Sequence, residues 1–228
     1  MLGLSSCTFP FGLHSPGSNR EIEWVDFVQF RGIQYMGQNM GQSPGHSQSN
    51  QLQEKNLGPV FSTVAFKVSG NVTDLGYQIK DGDAAFLDAG TKVYTVKGYQ
   101  PWFRLAAHSR GGIVLYEVTQ NPKAKRGAEL LDIDGKVRYI SINSEQDGVT
   151  ELATIKDPQQ VARLVSLIDN APIHTQGSNQ TAAYFLVLHF IDGTAFTRQY
   201  WAAPAPFFGD LIMPQEFQRA IEHAVHPK

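Results

Sequence analysis

The feature that most constrains the fold is a series of short apolar stretches in the first half of the chain, separated by glycines and lacking a helical period. The stretches are rich in β-branched and aromatic residues, and Arg31-Gly32 forms a predicted turn between the first two. Short strands at close spacing bury their apolar faces best in a barrel or a sandwich. We therefore predict a small all-β barrel or sandwich over residues 21–120. Its expected strands are 22–30, 33–36, 60–68, 84–87, 92–96, 103–107 and 113–118.

Residues 37–56 interrupt this series. Fourteen of these twenty residues are Gln, Asn, Ser or Gly, so the segment offers too little apolar surface to offset the entropy of ordering it. We expect a disordered insertion here. The remainder can build a packed core, because 42% of the 228 residues are hydrophobic and 18% are charged.

The character of the chain changes after residues 121–127, which we take as a boundary between two units. Beyond it, Asp134-Gly135 is suited to a tight hairpin turn. A helix should begin after Asp157, because Pro158 occupies its first turn and Gln160 completes a capping box. Its apolar stripe consists of Val161, Leu164, Val165 and Ile168. The expected strands of this region are 129–133, 136–142 and 150–155.

The strongest hairpin signal is Asp192-Gly193, which lies between the alternating stretches 183–191 and 194–201. A final helix is predicted from Pro214. The order β-β-β-α-β-β-α predicts an α+β unit over residues 128–228, with helices packed on an antiparallel sheet. A two-residue turn would place Leu186, Leu188 and Phe190 on one face, and His189, Phe196, Arg198 and Tyr200 on the other.

Cys7 is the single cysteine, and it follows Leu4-Ser5-Ser6. A branched apolar residue and two small residues before a cysteine form the pattern that a bacterial lipoprotein signal peptidase recognises. Small side chains let the extended segment enter the peptidase groove, and the thiol then receives the diacylglycerol. Acyl chains on Cys7 would hold the protein to the outer face of the cell membrane without a spanning helix.

Residues 1–20 carry the rest of this expectation. Residues 1–4 lack the basic region and the apolar run of a signal peptide, so they are either a remnant of one or a chance match. Prolines, glycines and serines then dominate residues 8–20, which suits a flexible tether between an acylated cysteine and a folded body. The alternative is a cytoplasmic protein with a frayed N-terminus.

Composition and motifs exclude several functions. A net charge of -2 gives no general attraction for nucleic acid, and one cysteine excludes an internal disulfide and a multi-cysteine zinc site. The sequence also lacks the glycine-rich nucleotide loops, the His-Glu-x-x-His metal motif and the Gly-x-Ser-x-Gly nucleophile elbow. We expect no cofactor, no metal site and no enzyme. The alternative is a hydrolase with paired carboxylates at the junction of the two units, drawn from Glu117, Glu129, Asp132, Asp134 and Glu151.

Two aromatic clusters are suited to binding, because flat rings stack on sugar faces and clamp extended peptides. The first cluster lies around Pro101 and the second around two further prolines. The alternative is that these rings fill the core or join the two units. The candidate binding residues are Tyr99, Trp102, Phe103, Trp201, Phe207 and Phe208. A local basic spot, which could face anionic headgroups or wall polymers, consists of Lys123, Lys125, Arg126 and Arg138.

From residue 21 onward the chain resembles uncharacterised lipoproteins of Gram-positive, Bacillus-type bacteria. The resemblance lies in residues 23–28 (Glu-Trp-Val-Asp-Phe-Val), 80–87 (Lys-Asp-Gly-Asp-Ala-Ala-Phe-Leu) and 135–140 (Gly-Lys-Val-Arg-Tyr-Ile). It implies a location in the cell envelope and no activity. Residues 86–94 are also similar to a turn and strand of bacterial SH3-type barrels, which often bind cell-wall peptides.

The sequence therefore predicts a lipid-anchored, extracytoplasmic protein that binds or scaffolds. Its expected partners are membrane lipid, through acylated Cys7, and a cell-wall polymer or a protein.

Overall fold

The computed structural model describes residues 22–38, 52–174, 183–202 and 205–227. The protein has a mixed α+β fold that is mostly β, and it contains two sheets, one of which curls into a half-barrel. The mixed fold class is as predicted. Cys7 lies outside the described residues.

The first sheet has eight strands in the order β3-β6-β7-β8-β2-β1-β5-β4. Its described pairs are antiparallel except β4–β5, which is parallel. The strands are β1 (Phe27–Phe30), β2 (Ile33–Gly37), β3 (Leu57–Thr63), β4 (Phe66–Lys67), β5 (Asp83–Ala84), β6 (Lys92–Val96), β7 (Arg104–Ser109) and β8 (Gly112–Gln120).

This eight-stranded sheet must curl, because β3 and β4 form its opposite edges and only residues 64 and 65 separate them along the chain. The three Cα–Cα steps from Thr63 to Phe66 span no more than about 11 Å. The predicted single strand over 60–68 is therefore wrong. Val64 N donates to Thr91 O at 2.9 Å, and Ala65 N donates to Gly82 O at 2.8 Å, as the chain passes from one edge to the other.

The predicted turn between β1 and β2 is confirmed. Arg31 and Gly32 have φ values of 55° and 76°, the left-handed pair that a two-residue type I′ turn requires. The predicted insertion is too wide at both ends, since Gly37 ends β2 and Glu54–Asn56 forms a 3-10 turn after the buried Leu52. Residues 39–51 lie outside the described residues.

The second sheet has six antiparallel strands in the order β10-β9-β11-β12-β13-β14. The strands are β9 (Val137–Ser144), β10 (Glu151–Ile155), β11 (Tyr184–Phe190), β12 (Ala195–Trp201), β13 (Phe207–Phe208) and β14 (Leu211–Ile212). The helices are α1 (Gly127–Leu130), α2 (Pro158–Asn170) and α3 (Gln215–Val225).

Helix α2 and its Asp157 cap form as predicted, but the capping box is incomplete, because the described Gln160 contact with Asp157 is made by its backbone N–H and not by its side chain. The Asp157 side chain caps it by accepting from Gln160 N at 2.8 Å, and Pro158 occupies the first turn. The predicted stripe is buried, since Val161, Leu164, Val165 and Ile168 all belong to the core.

The predicted strand over 129–133 is wrong, because the chain forms α1 there instead. Gly127 N donates to Ala171 O at 2.9 Å, and a Cβ at position 127 would lie 1.8 Å from Ile168 O. This close approach to the end of α2 starts a helical turn rather than a strand. Asp134-Gly135 consequently joins α1 to β9 and does not form a hairpin.

The predicted faces of the β11–β12 hairpin are also wrong. Leu186 pairs with Arg198, Leu188 with Phe196 and His189 with Ala195, one residue out of the expected register. Asp192 Oδ1 accepts from Thr194 N at 2.9 Å and from Thr194 Oγ1 at 2.7 Å, which lengthens the turn. A shift of one residue exchanges the faces of a strand. Phe196, Arg198 and Tyr200 therefore share the face of Leu186, Leu188 and Phe190.

The two sheets share one hydrophobic cluster, which also includes the inner faces of α2 and α3. Phe103, which precedes β7, packs against Phe190 and Phe196 of the second sheet, with ring centroids 6.3 and 5.3 Å apart. The predicted boundary at 121–127 falls where the chain passes from the first sheet to the second.

Candidate functional site

Two of the predicted binding rings do not reach the surface. Phe103 and Phe208 are 0% and 1% exposed and lie in the shared core, so they cannot contact a ligand. Tyr99 packs on Phe103 and Phe190, and its hydroxyl donates to Asp192 at 2.9 Å, which joins the two sheets. Burial raises the pKa of Tyr99. Tyr99 therefore packs between the two sheets and is not presented as a binding surface.

The other three rings lie nearer to solvent. Trp102 is 36% exposed, whereas Trp201 and Phe207 are half-buried. Phe207 packs obliquely on His174 at 5.3 Å. Trp201 and Phe207 are direct cross-strand partners on β12 and β13 and so lie side by side, whereas Trp102 lies in the turn before β7. None of the three lines the described cleft.

The buried polar contact between the sheets is centred on Arg104, which is fully buried. Its Nη2 lies 2.5 Å from Glu117 Oε1 and donates to Ala195 O at 3.1 Å, and its Nη1 donates to Thr194 Oγ1 at 2.7 Å. Three aromatic rings surround the guanidinium at 4.4 to 4.9 Å, those of Tyr99, Phe103 and Phe190. Glu117 therefore forms a buried structural ion pair and is not exposed to a substrate.

The remaining predicted carboxylates are mostly paired or solvated. Glu129 accepts from Arg126 Nε at 3.2 Å and from Lys125 N at 2.9 Å. Asp132 accepts from Lys136 Nζ at 2.6 Å, and Asp134 is exposed. Glu151 is the one that lines a described cleft, and no second acidic side chain lines that cleft with it.

That cleft opens where β10 separates from β9. The pairing of the two strands ends at Ile155 opposite Ile140, and the chain then turns through two residues into α2. Among the described strands, none pairs with the edge of β9 before Ile140 on this side. The resulting space, the β9–β10 cleft, has a volume of about 610 Å³ and is lined by Arg138, Tyr139, Glu151, Thr154, Lys156 and Pro158.

A rigid aromatic stack forms one wall of the cleft. Tyr139 and His189 are direct cross-strand partners, and their rings stack at 4.1 Å with an angle of 11° between the planes. Neighbouring strands lie about 4.8 Å apart, which is close to the ring separation of 4.1 Å. The two rings therefore stack face to face in the direction that runs from β9 to β11. His189 covers the face of the Tyr139 ring on the β11 side. The opposite face is therefore directed toward β10 and the cleft.

His189 is itself held in place. A hydrogen bond of 2.9 Å joins its Nε2 to Ser141 Oγ. Burial lowers the pKa of His189, while the Glu151 carboxylate acts in the opposite sense, so the ring is neutral near pH 7. Ser141 is only 2% exposed, which keeps its hydroxyl from reaching a substrate carbonyl. The pair thus fixes the orientation of the Tyr139 platform.

The charges of the cleft are unevenly matched. The Glu151 carboxylate already accepts a hydrogen bond from Thr154 Oγ1. Arg138 and Lys156 are exposed, and neither has a carboxylate within ion-pair distance in the described parts of the chain. The cleft therefore presents two cations, one carboxylate and an aromatic face, which suits recognition of a polar ligand.

Sequence reasoning missed Tyr139, Thr154 and Lys156, and it named Arg138 and Glu151 for other reasons. The alternation of β9 places Tyr139 and Ser141 on one face. However, the register with β10 and β11 decides which side chains stand beside them, and that pairing is not local in sequence.

Comparisons with protein-family models, with curated proteins and with solved structures found no match for the chain. None of the helices in the described ranges is long and apolar enough to cross a membrane. Within those same ranges, no group of three or more His, Cys, Asp or Glu residues could hold a metal ion.

Proposed function

We propose that this is a binding protein, anchored to the outer face of the cell membrane by lipid on Cys7, that recognises a polar component of the cell envelope at the β9–β10 cleft. Residues 1–20 serve as signal remnant and tether. Residues 21–120 form the barrel-like unit, and residues 128–228 form the α+β unit that carries the cleft.

The observation that carries the proposal is the pairing state of the charged groups. Arg104 and Glu117 form a buried ion pair within the core, whereas Arg138 and Lys156 lie beside an aromatic face and form no ion pair with any carboxylate in the described parts of the chain. Arg138 lies on β9 and Lys156 directly follows β10, and charged groups anchored at a sheet and open to solvent are suited to binding with little rearrangement of the backbone. The cleft carries one carboxylate, and general acid–base hydrolysis of a glycoside requires two.

The anchor is tested by metabolic labelling with an alkyne fatty acid. The wild-type protein should carry the label and fractionate with membranes, and Cys7→Ser should lose both properties because the thiol is the acceptor. An unlabelled wild-type protein in the soluble fraction would instead favour the cytoplasmic alternative.

The binding site is tested by retention on purified cell-wall material. Tyr139→Ala should reduce retention, because it removes the aromatic wall of the cleft, whereas Trp102→Ala should be retained like the wild type. Loss of retention in Trp102→Ala alone would move the binding surface to the first aromatic cluster. No retention of the wild-type protein would overturn envelope binding itself.

A further inference from the structure

We infer that the β9–β10 cleft takes a saccharide that bears a carboxylate or phosphate group. The sugar ring stacks on Tyr139, its anionic group binds Arg138 and Lys156, and a hydroxyl donates to Glu151. This inference rests on the proposed function, because it names the ligand class of the same cleft.

The aromatic wall fixes the first requirement on the ligand. One face of the Tyr139 ring is occupied by His189, and the other lines the cleft. An aromatic face with one open side binds a flat apolar surface, such as the C–H face of a pyranose. The hydrogen bond between His189 Nε2 and Ser141 Oγ restrains the His189 ring, so little entropy is lost on binding.

The unpaired cations fix the second requirement. A guanidinium binds carboxylate or phosphate through two parallel hydrogen bonds, and an ammonium adds a compact charge. Arg138 and Lys156 supply one of each from opposite sides of the cleft, on β9 and just after β10. The start of α2 is not the anion ligand, because the Asp157 carboxylate already accepts from Gln160 N there.

The carboxylate fixes the third requirement. Glu151 accepts a hydrogen bond from Thr154, and its remaining lone pairs face ligands that donate. A sugar hydroxyl donates, and a sugar also carries the apolar face and the anionic substituent within one ring. Since the cleft of about 610 Å³ is within the usual range for small ligands, it can hold a short saccharide unit.

The test is a titration of the full chain with four probes, followed by NMR of backbone amides and by calorimetry. The probes are a glucuronic-acid disaccharide, glucose 6-phosphate, the neutral disaccharide maltose and adenosine monophosphate. The amides of residues 138–156 should shift with the glucuronic-acid probe, the sugar phosphate or both. Affinity for at least one anionic sugar should exceed that for maltose about tenfold and should fall with added salt.

Charge variants locate the binding groups. Lys156→Glu should weaken binding of the anionic sugar about tenfold or more, and Lys156→Gln should weaken it less. Lys92→Glu is the matched control, because it makes the same change of charge at an exposed residue of β6 in the other sheet and should bind like the wild type. Circular dichroism and thermal melts confirm that each variant is folded.

Several results would overturn the inference. Equal affinity for maltose and both anionic sugars would remove the anion site, and tighter binding of adenosine monophosphate than of either sugar would assign the stack to a base. Equal loss in Lys156→Glu and Lys92→Glu would reduce the effect to net charge. If no probe shifts the cleft while the wild-type protein is still retained on wall material, the ligand class is wrong and the proposed function stands.

Discussion

An arginine and a glutamate occur together in two regions of the molecule, buried and paired in one and exposed in the other. Between the sheets, Arg104 and Glu117 are excluded from water and are joined to each other, to Thr194 and to the backbone of Ala195. In the β9–β10 cleft, Arg138 and Glu151 are exposed, and the ion pairs of the described residues do not join them. The comparison shows that pairing and burial, rather than residue type, separate charges that hold the fold from charges available to a ligand.

The largest effect should come from breaking the closed pair. Glu117→Gln leaves the Arg104 guanidinium buried without its counter-charge, so we expect a loss of about 3–5 kcal/mol in the free energy of unfolding. Urea denaturation measures this loss. The double variant Arg104→Met with Glu117→Leu should recover part of it, because the uncompensated charge is gone. A single variant as stable as the wild type would show that the pair does not hold the sheets together.

A half-buried charge without a partner should give the next largest effect. Burial, with smaller contributions from Asp134 and Asp132, raises the pKa of Asp169 from 3.8 to about 6, and its Oδ1 has no hydrogen-bond partner among the described residues. The folded state therefore holds the proton more tightly than the unfolded state. Its stabilising contribution is complete below pH 3.8 and is lost as the pH rises through about 6.

Asp169→Asn removes the cost of holding an ionised carboxylate at this half-buried position at high pH. At about pH 8 the variant should be more stable than the wild type by about 1 kcal/mol, well below the unscreened equivalent of the pKa shift, because the carboxyl is half-exposed and solvent screens it. The gain should vanish near pH 4. Thermal melts across this range measure it, and a gain that does not depend on pH would point to packing instead of charge.

Replacing His189 should change the stability less than replacing Asp169, and the effect should depend on pH in the opposite direction. Burial lowers its pKa from 6.5, so its stabilising contribution is present above pH 6.5 and is lost as the pH falls below that value. His189→Phe keeps the stack on Tyr139 and cannot be protonated. The wild type should thus lose stability relative to this variant on acidification below pH 6.5. If the melting temperatures of the two proteins fell equally on acidification, the imidazole of His189 would not be held neutral by burial.

The smallest effect on stability should come from the open cleft. Lys156→Gln removes an exposed cation that has no carboxylate partner among the described residues, so the free energy of unfolding should change by less than about 0.5 kcal/mol. Wall retention of the same variant should still fall. A larger loss of stability in this variant would mean that Lys156 holds the fold, and the contrast between the two regions would disappear.

Local signals in the sequence predicted the parts of the fold that depend on neighbouring residues. The cap and stripe of α2, the Arg31-Gly32 turn and the strand Lys92–Val96 are confirmed. Each of these is decided by side chains within a few positions of one another. The same reasoning placed the chain in the mixed α+β class.

The wrong predictions concern segments whose local structure is set by a contact with a distant part of the chain or by a side-chain hydrogen bond in a turn. Gly127 starts a helical turn because it lies against the end of α2, and Asp192 lengthens a hairpin turn by binding Thr194. Alternation could not show that the second sheet would cover Phe103 or that α3 would cover Phe208, which packs on Phe217. These two candidate binding rings are core residues, as the alternative interpretation had it. The cleft was missed because it depends on where two paired strands part.

The curled sheet also has a consequence for the order of assembly during synthesis. β2 needs β8 as its neighbour, with Gln34 opposite Gln120, and most of the first sheet must be made before that partner exists. Until then one side of the early hairpin stays open, and the nearest available strand belongs to another nascent copy. A chaperone that shields this hairpin should raise the yield of monomer more than one that acts on the finished chain.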